Sequence, residues 1–154
     1  MTFVIPPAVL QELKAHAVST FPEECCGIIV EQGARLSAVR VTNVQNQRHG
    51  ENPEQVPRTA ATAYTMGPEA APVLVAHDRG TLIIRAIYHS HPQHAAYFSA
   101  EDKRQATVWD EPSYPDAAQI VLSVIDGAVR DVKAFGWDEA ARDFVEMPLR
   151  VAER

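Results

Sequence analysis

The chain has 154 residues, the length of one domain, and its 46% hydrophobic and 22% charged composition is that of a globular protein with a buried core rather than a disordered chain. Its formal net charge is −6 and no run of Lys or Arg stands out, so nucleic acid and anionic membranes are poor partners. The two cysteines, Cys25 and Cys26, are adjacent, which disfavours a disulfide. The N-terminus has no leader pattern and no apolar stretch reaches membrane length, so a cytoplasmic location is expected.

Taken in chain order, residues 5–19 have apolar positions near helical spacing, with Pro7 suited to a first turn. Residues 27–31 predict a buried strand, Gln32-Gly33 a turn, and residues 36–44 the return strand of a hairpin. Residues 45–60 are polar and hold Gly50, Pro53 and Pro57, which predicts a long loop, either functional or a disordered insertion. A short strand is expected at 63–66 and a helix at 68–79, with Pro72 near its start. Residues 81–89 are rich in β-branched side chains and give the strongest strand signal, which Pro92 should end. A helix is expected at 99–109. Strands at 119–125 and 129–137 should flank an Asp126-Gly127 turn, with a last strand at 144–149. Helices and strands alternate without an internal repeat or domain boundary. This predicts one layered α/β domain over 1–154.

The residues that carry chemistry cluster after the strongest strand. His89 and His91 are two apart, so on a continuing strand both imidazoles share a face, with Cα atoms roughly 6–7 Å apart. Two imidazoles at that separation can converge on one metal ion. A catalytic zinc site takes three protein ligands and leaves the fourth position to water, and Asp102 in the next helix offers the third. Ser99 with an acid three residues later also reads as a capping box, which explains both residues without a metal. It does not explain the two histidines. Upstream, Phe21-Pro22-Glu23-Glu24-Cys25-Cys26-Gly27 joins the first helix to the first buried strand. Its glutamates sit either on a solvated turn or beside apolar structure, where a carboxylate needs a partner or a task.

The sequence His89-Ser90-His91-Pro92, followed by Ser99 and Asp102, resembles the motif of the JAMM (MPN-plus) metallopeptidase family. Pro22-Glu23-Glu24-Cys25-Cys26-Gly27 is similar to the family's Pro-x-Glu-x-Cys-Gly segment, in a register that singles out Glu24 rather than Glu23. The resemblance extends over residues 5–137. It implies an MPN/JAB-like α/β layered fold, with a mixed curved β-sheet flanked by helices. It also implies Zn2+ held by His89, His91 and Asp102, Glu24 as general base, and Ser99 as donor to the oxyanion. Ser90, on the other side of the strand, should not contact substrate. His94 lies in the adjoining loop, where solvent exposure explains it better than a substrate contact does. His16, His49 and His77 have no motif context. Cys25 lacks a cysteine-protease signature, Cys26 reads as packing, and the zinc-deaminase pattern is absent.

Such family members are deubiquitinase-like enzymes. Small stand-alone ones cleave peptide or isopeptide bonds after the C-terminal tail of ubiquitin-like or sulfur-carrier proteins, typically a Gly-Gly tail. Tyr114-Pro115-Asp116-Ala117-Ala118 looks similar to the corresponding stretch of those members. The loops at 45–60 and 92–98 are expected to form the groove for such a tail, which could add a strand to a sheet edge. Two rival readings are a metal-free MPN scaffold, which usually lacks part of the ligand set, and a phage-tail-type peptidase acting on cell-wall peptides, which is often fused to a second domain.

Overall fold

The computed structural model describes residues 1–153. The chain runs through β1 (Phe3–Ile5), α1 (Pro7–Thr20), β2 (Cys26–Gln32), β3 (Arg35–Val41), α2 (Gln45–Glu51) and α3 (Ala70–Asp78). It continues with β4 (Ile83–Pro92), α4 (Ala100–Ala106), β5 (Thr107–Val108), β6 (Glu111–Pro112), β7 (Ala118–Ile125), β8 (Ala128–Asp138), β9 (Asp143–Met147) and β10 (Leu149–Val151). Six strands form the main sheet in the order β3-β2-β4-β7-β8-β9. The β4–β7 pair is parallel and its neighbours are antiparallel, so the sheet is mixed.

A parallel pair needs a crossover, because a two-residue turn cannot return the chain to the same end. Here α4 and the small β5–β6 hairpin lie in that crossover. The first turn of α4 therefore comes one loop, residues 93–99, after the end of β4, a central strand of the sheet that carries the two histidines.

Both faces of the sheet are covered, which is why β2 and β7 read as almost continuous apolar runs. Leu13 and Ala17 of α1 pack with Ile29, Tyr88, Ile120 and Leu122 on one face. Ile28, Val30, Tyr64 and Val73 form the core on the other. A third cluster gathers Ala96, Phe98, Val121, Phe135 and Phe144. Along β4 the alternation sends Tyr88 toward α1, while the ring of His89 stacks on Tyr64 at 4.9 Å on the opposite side.

Several expected elements differ. Residues 45–60 are not a loop throughout: Gln45–Glu51 is helical, and the side chain of the buried Gln45 donates to Arg58 O and accepts from Thr65 Oγ1. The strand expected at 63–66 reduces to a single bridge, Asn43 to Met66. The strand expected to reach residue 44 stops at Val41, since Asn43 leaves the ladder to bond elsewhere. The helix expected over 99–109 ends at Ala106, where Thr107 and Val108 pair with β6 instead, around Trp109 and Asp110 in the left-handed region. Pro148 divides the last predicted strand, and the residues after it pair in parallel with β1, a partnership without a local signature.

Candidate metal centre

At the end of β4, His89 and His91 point to one side of the strand. His89 Nε2 and His91 Nε2 lie 3.1 Å apart. Asp102, in the first turn of α4, places Oδ1 3.1 Å from His89 Nε2 and Oδ2 3.1 Å from His91 Nε2. His89, His91 and Asp102 are all buried. Ligands held about 2.0–2.1 Å from a tetrahedral centre lie roughly 3.3–3.4 Å from one another. The three side chains are spaced as the corners of such a site, and two imidazoles with one carboxylate are a donor set that suits zinc.

The surrounding bonds orient this set. His91 Nδ1 donates to the Ala95 carbonyl at 3.0 Å, which leaves the Nε2 lone pair facing Asp102 and His89. Ser99 caps α4: its Oγ accepts from the Asp102 backbone N–H at 3.0 Å, and its own N–H donates to Asp102 Oδ2 at 2.9 Å. The capping box and the metal cluster therefore coexist, because Asp102 turns one oxygen to each histidine while closing the cap. Burial works against the charged form of Asp102. The closeness of the His89 and His91 rings outweighs it and holds the carboxyl well below the usual range. For His89, burial lowers the pKa against the pull of Asp102.

Glu24 lines the same cleft, a space of about 360 Å3 that also takes in His91, Ser99 and Asp102. It is 4% exposed and its Oε1 has no hydrogen-bond partner within the protein. Burial, reinforced by the negative charge of Asp102, pushes its pKa up to about 9. A cation held by the triad would oppose both effects. Glu23, by contrast, is exposed and accepts from Asn46. Of the two adjacent glutamates, Glu24 is thus the buried one.

Residues without a motif hold Glu24 in place. Its N–H donates to the Ala60 carbonyl at 2.8 Å, and Asn43 Nδ2 donates to its carbonyl at 2.9 Å. Asn43 also donates to Ala63 O and accepts from the N–H groups of Gln45 and Thr65, so all four of its hydrogen-bonding positions are used. Ser90 does not face the cleft. Its Oγ accepts from the Cys25 N–H at 2.8 Å, which ties the Glu24 segment to β4 between the two histidines. A single Asn or Ser has no spacing signature, so only the tertiary structure reveals these ties.

The remaining candidates fall as follows. His94 is exposed and lines the cleft with Tyr97, so the 92–98 loop borders the site. Of the 45–60 segment, Arg58 reaches it. His16 bonds Tyr88 Oη at 2.7 Å, His49 faces Val56 O, and His77 accepts from the Ile84 N–H. Cys25 and Cys26 are buried, and burial pushes the Cys25 thiol up to about 12, which leaves no reactive thiolate.

A model of the family described as prokaryotic homologs of the JAB domain matches residues 6–135. The chain belongs to that family. Among solved structures, this JAB-family chain is similar to the Desulfitobacterium hafniense protein DSY2949, at 20% identity and TM-score 0.67, over 100% of this chain and 94% of that one. A Salinibacter ruber protein is similar at 25% identity and TM-score 0.61, over 98% of this chain and 92% of that one. AF2198, a JAB1/MPN domain protein of Archaeoglobus fulgidus, is similar at 14% identity and TM-score 0.55, over 98% of each chain. No curated protein matches. No helix is long and apolar enough to cross a membrane among the described residues.

Proposed function

We propose that this JAB-family protein is a zinc metallopeptidase. It hydrolyses a peptide or isopeptide bond at the C-terminal tail of a ubiquitin-like or sulfur-carrier protein. The observation that carries this reading is the convergence of His89, His91 and Asp102 beside a buried carboxylate, Glu24, with a free oxygen in the same cleft. A scaffold has no need to bury that carboxylate.

Zinc bound by His89 Nε2, His91 Nε2 and Asp102 would supply Lewis acidity, lowering the pKa of water toward about 7 and polarising the scissile carbonyl. Glu24 takes the proton of the attacking water and returns it to the leaving nitrogen. Its segment is fixed by Ala60, Asn43 and, through Cys25, Ser90, so the carboxylate is held at the cleft before substrate arrives. Ser99 Oγ accepts one hydrogen bond from Asp102 and keeps its own proton to donate to the oxyanion. Ala95 holds the His91 ring in the tautomer that ligation requires.

The test is incubation with carrier fusions whose tails extend beyond Gly-Gly, with and without chelator, read by mass spectrometry. Chelator should abolish cleavage. Glu24→Gln should keep its zinc and lose hydrolysis by at least about 100-fold, as expected for loss of a general base. Cleavage indifferent to chelator would remove the metal from the mechanism, and ordinary turnover by Glu24→Gln would remove Glu24 as base.

A further inference from the structure

A second cavity opens on the face of the sheet opposite α1. It holds about 300 Å3 and shares no lining residue with the metal cleft. Its floor is a row across three strands: Ile28 of β2 pairs with Ile87 of β4, and Ile87 with Gln119 of β7. Met66 and Leu74 stand at its walls. Ile87 lies in the middle of a strand that is covered on both faces, yet it is only half-buried, because this opening lies over it.

Two polar side chains in this cavity are left with capacity to spare. Gln119 is 3% exposed, and its side-chain amide makes no hydrogen bond among the described residues. An amide buried beside two isoleucines costs free energy unless something pairs with it, and it can both donate and accept. Arg48, on α2, is exposed and lines the mouth. It forms no ion pair among the described residues, and its guanidinium gives one hydrogen bond, from Nη1 to Thr65 Oγ1 at 3.0 Å. Most of its five donors are therefore uncommitted. No carboxylate lines the cavity, although the chain has 20 acidic residues and a net charge of −6. The cavity is thus cationic in an acidic protein, and a carboxylate entering it would meet a guanidinium without an opposing charge in the lining.

We propose that this cavity is a binding site for a small carboxylic acid with an apolar body and a hydroxyl at its far end. Arg48 receives the carboxylate at the mouth, where its planar fork can grip both oxygens through parallel hydrogen bonds. Ile28, Ile87, Met66 and Leu74 take the apolar body, and Gln119 pairs with the hydroxyl at the floor. Ligand pockets run from about 300 to 1,000 Å3, so this one, at the low end, suits a single substituted ring. The site does not depend on the peptidase reading. An occupant would touch Tyr64, whose ring lines the cavity and packs on His89 at 4.9 Å, without entering the metal cleft.

The experiment is calorimetric titration of the natural protein with three probes: 4-hydroxyphenylacetate, phenylacetate and 4-hydroxyphenylacetamide. The first should bind saturably, one molecule per chain, with a dissociation constant below about 1 mM. The amide should bind about tenfold more weakly or worse, the scale of one charge-assisted pair, and phenylacetate several-fold more weakly, because Gln119 then stays unpaired. Arg48→Met should erase the preference for acid over amide, and Gln119→Leu the preference for hydroxyl over hydrogen. Arg48 is exposed, and Gln119→Leu removes a buried amide that has no partner, so both variants should fold with melting temperatures at or above that of the natural protein. A carboxylate held at the metal centre instead would bind equally well to both variants, and that result overturns the proposal. So do equal binding of acid and amide by the natural protein, and the absence of saturable binding below about 1 mM.

Discussion

Gly27 lies opposite Tyr88 in the β2–β4 ladder, and a Cβ at Gly27 would come within 2.3 Å of the Tyr88 ring. The glycine that ends the glutamate motif is therefore a packing requirement of the neighbouring strand, since the Tyr88 ring lies directly over its backbone. Gly27→Ala should lower stability by about 1–3 kcal/mol through overpacking, measured by urea unfolding, and should move the Glu24 segment with it. In the proposed mechanism Ser99 has two separable duties. Ser99→Ala should cost about 1 kcal/mol as a lost cap and about 100- to 1,000-fold in rate as a lost donor. Ser99→Thr should restore the melting temperature and part of the rate. A calorimetric and kinetic comparison of the two variants checks both. His89, His91 and Asp102 were legible as a candidate ligand set, because the residue types are scarce and their spacing is demanding, whereas Glu24 was singled out by the motif resemblance alone. Asn43 and Ser90 were not legible, because a common polar residue acquires meaning only from the backbone groups the fold brings to it.

At the scale of elements, the segment from Asn43 to Thr65 matters most. Its polar composition reads as a loose loop, yet Asn43 makes four hydrogen bonds and Gln45 bonds both Arg58 and Thr65. Hydrophobic periodicity carries no information about a segment stabilised by side-chain amides, which is why its order escaped the sequence. Asn43→Ala should cost roughly 2–4 kcal/mol in urea unfolding, several net hydrogen bonds at once, and lower hydrolysis through misplacement of Glu24. Helix α1 is tied to the sheet by His16 and Tyr88. Burial lowers the pKa of His16 to about 4, against 6.5 for the free side chain. The unfolded chain therefore binds the extra proton as pH falls from 6.5 toward 4, and stability declines across that window. Between pH 7 and 5 the loss from this group is up to about 2 kcal/mol before solvent screening. His16→Gln keeps a hydrogen-bonding side chain but cannot titrate, so its stability should fall less over the same range.

For the whole molecule, the mixed sheet and its crossover explain why a site forms where it does. The parallel β4–β7 pair forces an excursion out of the sheet at the end of β4, and after the 93–98 loop that excursion carries Ser99 and Asp102. The β4 strand, the turn at Asp126-Gly127 and the alternation of helices and strands were readable in the sequence. The parallel pairing of β1 with β10 was not, because nothing local signals contact between the two ends of a chain. A metal that binds the folded triad but not the unfolded chain must raise stability, by about 2.7 kcal/mol at a hundredfold excess over its dissociation constant. Zinc should therefore raise the melting temperature and chelator should reverse the gain. The most direct measurement is calorimetric titration of metal-stripped protein with zinc, beside His91→Ala. One zinc per chain with the natural protein, and none with the variant at the same concentrations, is the predicted result. A stoichiometry unchanged by His91→Ala, or no binding to the natural protein, would contradict the account.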